Sequence, residues 1–271
     1  MKAGVIAWAT YLETTRRPLF WSIALVAVVV IYPISFYLPY NTFGEDIKML
    51  KDTGLTLIMV LSIVVALWTA SVSVADEIEG RTALTLLSKP ISRRDFVLGK
   101  FLGIVWPVVL LYVLLGLVLL VTVSYKAVYD SVETSMPVPK WQECYAEMVS
   151  VIPGLALGLM ETIVLASISV ALSTRLPMLA NLMVCGSIYV LGHLVPVIVE
   201  SSAADFVIVR FIGFLIATIL PVLEHFNIQA AVAGGVAIPL SFLGWALLYC
   251  ILYCTIMMLL ALALFEDRDL A

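Results

Sequence analysis

Six stretches of this chain run for about twenty residues almost without charge: 19–38, 55–75, 101–124, 151–173, 177–199 and 241–265. A helix needs about 20 mostly apolar residues to cross ~30 Å of hydrocarbon. Inside hydrocarbon the backbone must also satisfy its own hydrogen bonds, which a helix does within one segment. The runs therefore predict an all-α membrane protein with six transmembrane helices, forming a single domain over 1–271. Composition agrees, with 63% of the residues hydrophobic and 13% charged, against roughly 25% charged in a soluble domain. The net charge of −4 offers nothing to nucleic acid, and no such partner is expected.

Punctuation between the runs refines this picture. Arg16-Arg17 before the first run resembles the start of a signal peptide, but the run is long enough to span and no A-x-A site follows. It is read as a retained first span. Residues 206–222, FVIVRFIGFLIATILPV, are apolar but hold Arg210 and end at Pro221. A seventh span is open to them; a re-entrant or interfacial outer segment before the last span is preferred, because seven spans would part the chain ends.

Lysine and arginine counts orient the chain. With six spans, one side receives Lys2, Arg16, Arg17, Arg81, Lys89, Arg93, Arg94, Lys100, Arg175 and Arg268, and the other Lys48, Lys51, Lys126, Lys140 and Arg210. The positive-inside rule places both termini and the loop 76–100 in the cytoplasm, as in a multi-pass protein of a bacterial inner membrane. Residues 3–14 carry Val5, Trp8, Ala9 and Leu12 at helical spacing, with Lys2, Thr10, Glu13 and Arg17 largely off that stripe. An amphipathic helix in the headgroup plane is expected there, with Pro18 at the bend into the first span.

The loop 76–100 reads DEIEGRTALTLLSKPISRRDFVLGK. Gly80 suits the end of a cytoplasmic extension of the second span. Thr82 can cap a short helix, Ala83 to Ser88, that exposes Leu84, Leu86 and Leu87, and Pro90 breaks it. Ser92-Arg-Arg-Asp95 matches a capping box that opens the helix of the third span. Lys89, Arg93, Arg94 and Lys100 are expected to face anionic headgroups of the membrane lipids, at about 1 kcal/mol each near the surface. An ordinary positive loop accounts for those cations. It leaves unexplained the acidic Asp76, Glu77 and Glu79 beside a negative leaflet, whereas an acidic entry followed by a leucine face suits a groove in a basic partner protein.

That run resembles the loop between spans two and three of ABC-2 type permeases. The shared pattern is an acidic pair, a Gly-Thr-like step, a leucine pair, Ser-(Lys/Arg)-Pro, a basic helix start and Gly-Lys entering span three. Arg81 stands where many members carry only Gly-Thr. The amphipathic start, six spans and apolar outer segment agree in layout, and the short permeases of the NosY type, associated with copper-site maturation, are the most similar group.

The resemblance implies a membrane-spanning permease subunit, an exporter, coupled to ATP hydrolysis. Two permease copies, as a homodimer, would pair around a central pathway. ATPase subunits would grip a cytoplasmic coupling helix whose docking residues are Asp76, Glu77, Glu79, Gly80, Arg81, Thr82, Leu84, Leu86, Leu87 and Pro90. This sequence has no G-x-x-x-x-G-K-[ST] loop. ATP and Mg are thus expected on a separate ATPase chain, and this chain is expected not to be an enzyme.

Other residues weigh less. Glu161 lies mid-span, where a carboxylate costs ~2.5–3.5 kcal/mol on insertion scales and must face protein or water. It lines a pathway or dimer interface, or it is neutral and bonded to a neighbouring helix; the two readings are even. Cys250 and Cys254 are an i, i+4 pair with Met257 and Met258 just beyond, a spacing of soft ligands able to hold Cu(I). Packing is the preferred reading, and no metal site is expected. His193 and His225 form no cluster with each other. Leu220 to Asn227 resembles the outer segment before the last span in such permeases and is read as structural. A second functional class is a membrane anchor or assembly factor that recruits an ATPase without moving a solute. A secondary transporter is disfavoured, since Glu161 alone offers an ionisable group at depth.

Overall fold

The computed structural model describes residues 2–37, 46–75, 92–133, 139–200, 211 and 220–266. The expected coupling segment, Asp76 to Pro90 with Lys89, and all of 206–222 except Phe211 and Leu220 to Val222 lie outside them. Every regular element among the described residues is helical. The chain forms α1 (Lys2–Arg16), α2 (Pro18–Tyr37), α3 (Asp46–Ala70) ending in a π-helical turn (Ser71–Ala75), and α4 (Arg93–Glu133). Then come α5 (Trp141–Ser173), α6 (Met178–Glu200), a 3₁₀ turn (Leu223–Phe226), α7 (Gln229–Ala233) and α8 (Leu240–Glu266).

Four of these are long and apolar enough to cross a membrane: α3 with its π turn, α4, α5 and α8. The pair α1–α2, bent by 59° at Arg17–Pro18, makes a fifth if taken as one span. The apolar stretch of α6, Met178–Leu194, is shorter. The expectation of six spans thus goes beyond the four or five helices that qualify among the described residues.

Helices α3, α4 and α5 pack against one another at the centre, through Ile58, Ile104, Leu111, Leu115, Leu119 and Leu157, each all but inaccessible. Of the apolar window in α3, 72% is buried, against 22% in α8. Helix α8 is therefore an outer helix, laid on α5 with Leu248, Ile251, Leu252 and Leu259 turned outward.

The amphipathic first helix packs differently from the expected surface helix. Val5, Trp8 and Ala9 of its apolar stripe are exposed, as lipid-facing residues are, but the opposite, small-residue face is buried against α4. Ala7, Thr10 and Thr14 lie along that face, and the Thr14 hydroxyl donates to the Thr10 carbonyl at 2.9 Å. The receiving surface on α4 is Gly99-x-x-x-Gly103. A Cβ at Gly99 would sit 2.8 Å from the Ala3 carbonyl oxygen, and one at Gly103 would sit 2.6 Å from Thr10 Cβ. Small residues four apart let helix backbones approach closely, which is what holds helices together where hydrocarbon supplies no hydrophobic drive.

At the end of the bundle where α3 begins, Lys51 is buried and bonds Glu147 and, at 2.8 Å, Ser150 of α5. Buried Lys126 of α4 lies 2.8 Å from Asp130 and 3.7 Å from Asp46. Lys51 and Lys126, both assigned to the outer side, are thus engaged within the protein.

Between that end and the centre, the segment after Leu220 dips into the bundle. The 3₁₀ turn seats Leu223 against Gly192 of α6, where a Cβ would lie 2.8 Å from Leu223 Cδ1. Helix α7 comes next, with buried Gln229 bonded to Thr56 of α3 (2.5 Å) and facing the Met59 sulfur (3.0 Å). Thr56 is ten residues into α3, about 15 Å at 1.5 Å per residue, at the start of the apolar run 55–75.

Gly103→Leu should force α1 off α4 at a cost of about 1–3 kcal/mol, the usual penalty for overpacking. Faster tryptic cleavage after Arg16 and a lower melting temperature in detergent would report it. Unchanged cleavage and melting would show that the contact contributes nothing.

Candidate functional site

The loop 76–91 hangs between two helix ends, and both are tied down. On the incoming side, α3 closes with the π turn. Its first residue, Ser71, lies among buried polar groups of two other helices. Asn181 of α6, wholly buried, donates to Ser71 Oγ and to Ser169 Oγ of α5, both at 2.8 Å, and accepts from Cys185 Sγ at 3.4 Å. A fully satisfied amide network of this kind fixes one packing arrangement, because any other leaves polar groups bare in an apolar interior.

On the outgoing side, α4 opens with one half of the expected capping box, Ser92 acting as the N-cap. Asp95 N–H donates to Ser92 Oγ at 3.1 Å, and the Ser92 hydroxyl meets Asp95 Oδ2 at 2.8 Å. The next turns then attach to two further helices. Arg93 donates to the Phe265 carbonyl at 3.2 Å with its guanidinium 5.7 Å from the Phe265 ring, and Phe96 stacks on that ring at 5.6 Å. Arg175, just past α5, donates to the Leu264 carbonyl at 2.8 Å. Two arginines thus occupy the last carbonyls of α8, which have no partners within their own helix and carry the negative end of its dipole. One turn further on, Gly99 and Gly103 hold α1.

This alters the expectation for the basic residues. Arg94 is exposed, as a headgroup contact requires, while Arg93 is engaged with the end of α8. Lys100 does not face headgroups: it is 3% exposed, with its ammonium 5.9 Å from the Phe96 ring, because Gly99 on one side and Gly103 on the other draw α1 over that stretch of α4.

A second polar cluster lies deep in the bundle. Glu161, twelve residues before the end of α5, is fully buried, and its Oε1 lies 3.3 Å from Nε2 of His193 on α6. The His193 ring rests on Tyr189 at 4.8 Å, and its Nδ1 lies 3.1 Å from the Tyr189 carbonyl. Thr162, the neighbour of Glu161, bonds the Tyr112 hydroxyl of α4 at 3.1 Å. Among the described residues, Tyr112 is the only polar side chain lining an apolar groove of about 340 Å³ between α4 and α5. Glu161 thus faces His193 of its own chain, with no hydrogen bond between them.

Cys250 and Cys254 point at α5, their sulfurs 3.6 Å from the Met160 carbonyl and 3.9 Å from the Ile163 carbonyl, as packed thiols do. Among the described residues no three His, Cys, Asp or Glu side chains gather as metal ligands. His225 is exposed on the 3₁₀ turn.

Sequence reasoning found the cap of α4 and singled out Glu161. It missed Asn181, the arginine contacts with α8, His193 as the partner of Glu161, and the glycine pair. A signal existed for the last: G-K-F-L-G is legible as a helix-packing motif.

Asn181→Leu should take the amide donor from Ser169 Oγ, at about 1–3 kcal/mol for a buried group left without it, while Ser71 keeps its bond to the Leu67 carbonyl. A lower melting temperature for Asn181→Leu than for Cys185→Ala, which removes only the weak thiol donor, would verify this. Equal melting would count against a structural role for the amide.

The comparisons with known proteins bear on the whole chain. A search of curated proteins finds no match. The family profile described as ABC-2 family transporter protein matches residues 6–270, nearly the full length, from within α1 to beyond the end of α8. With its several membrane-capable helices, the chain is a multi-pass membrane protein that belongs to the ABC-2 family of transporter proteins.

Proposed function

We propose that this chain is the permease subunit of an ATP-driven exporter and that it receives the work of a separate ATPase chain through the loop 76–91. The observation that carries this reading is the anchoring of both ends of that loop to different parts of the bundle. The π turn after α3 is tied through Asn181 to α5 and α6, and the start of α4 is tied to α1 and to the end of α8. A push on a free loop would be lost in its own flexing. A push on one held this way reaches all the principal helices.

In this reading Asp76, Glu77 and Glu79 meet the basic rim of the ATPase groove, Leu84, Leu86 and Leu87 fill it, and ATP and Mg stay on the ATPase. Six spans with both termini in the cytoplasm of a bacterial inner membrane complete the topology, with α2 and α6 as the first and fifth. The arginines at the end of α8 and the positive loop then lie on the cytoplasmic side, and the lysine–carboxylate pairs of Lys51 and Lys126 on the outer side. A second copy of the chain forms a homodimer around the transport pathway.

Tagged chain purified from mild detergent should bring down an ATPase. Leu84→Asp and Glu79→Lys should each lower its recovery at least tenfold, without changing the melting temperature of the permease. Undiminished recovery of the ATPase with both variants would rule out the loop as the docking segment. An ATPase that is held by the chain and hydrolyses ATP while no solute moves in reconstituted vesicles would favour the anchor or assembly-factor role over export.

A further inference from the structure

Glu161 and His193 carry a consequence of their own, independent of any ATPase. Nδ1 of His193 lies against the Tyr189 carbonyl, and a carbonyl only accepts, so Nδ1 bears hydrogen. In the neutral ring that leaves a lone pair on Nε2, and it is Nε2 that faces Glu161 Oε1 at 3.3 Å. A carboxylate oxygen set against a lone pair is repelled. Neither oxygen of Glu161 nor Nε2 of His193 has a hydrogen-bond partner among the described residues, although all three atoms are buried.

With no proton between the two groups, a bare negative charge is left in an apolar interior, and with two, an imidazolium faces a neutral acid. A single proton satisfies both partners, whether it rests as carboxyl against nitrogen or as carboxylate against imidazolium. Of the titratable groups that face the pair, Tyr112 of α4 and Tyr189 of α6 are phenols, and Glu224 of the 3₁₀ turn is a second carboxylate.

We propose that Glu161 and His193 form a binding site for a single proton, shared between carboxyl and imidazole and titrating as one unit. The His193 side chain is 20% exposed, yet its Nε2 is buried with both Glu161 oxygens, so the proton lies between sealed atoms. His193 adjoins Gly192, the seat of Leu223. The proton thus joins α5 to α6 beside the 3₁₀ turn, and its loss sets a carboxylate against a lone pair there.

The test uses the full chain in lipid nanodiscs and needs no partner. The chain has two histidines, so His225→Gln leaves His193 as the sole imidazole, and ¹⁵N-histidine NMR follows its protonation across pH. Glu161→Gln in that background, which cannot share a proton, should move the midpoint by at least one pH unit, a tenfold change in proton affinity. The same midpoint in both chains, near the ordinary histidine value of about 6.5, would overturn the site. Should Glu161→Gln not fold, pH-difference infrared spectra of the His225→Gln chain decide the matter: buried carboxyl and imidazole bands must change at one pH, and two separate midpoints refute a shared proton.

Discussion

Hydrocarbon accepts no hydrogen bonds, and most of what holds this protein together answers that fact. Many of the polar groups carried below the surface have found partners on another helix: Gln229 on Thr56, Asn181 on two serines and Lys51 on Glu147; at the surface, Arg93 and Arg175 cover the open carbonyls of α8. In water such pairs contribute little, because solvent competes for each partner. Here the alternative is an unsatisfied group, so the pairs decide which helix lies beside which. They also divide the work between the two ends of the bundle. One end is closed by lysine–carboxylate pairs, and the other by arginines on backbone carbonyls, around the loop that is the candidate docking segment.

Apolar packing supplies the rest, by close fit rather than by exclusion of water. The backbone of α1 reaches α4 because two glycines leave room for it, and Leu223 enters α6 because Gly192 does. Both contacts fasten a short element to a longer helix. Helix α1 and the 3₁₀ turn are thus held by shape.

The long helices were legible because charge is nearly absent from each run, and the cap of α4 because Ser92 and Asp95 stand three apart before an apolar stretch. Residue pairs across helices were not legible, since contact between Asn181 and Ser71, or Glu161 and His193, depends on crossing angles that no spacing along one helix encodes. The headgroup assignment of Lys100 failed for a related reason. Counting cations locates a side of the membrane, but whether a given lysine reaches the surface depends on what packs over it, here α1. The bend at Pro18 was readable from the proline, while the face that α1 turns inward was not: small residues make a weak apolar stripe, and Val5 and Trp8 outshone them. Ser71–Ala75 gave no signal at all, being as apolar and helix-compatible as the turns before it.

That turn has a geometric effect out of proportion to its five residues. A π turn carries one residue more than an α turn, and each residue added to a helix advances the rest of the chain by about 100° around the axis. The chain therefore leaves Ala75 on a bearing that the sequence spacing of α3 alone would misjudge by more than a quarter of a circle.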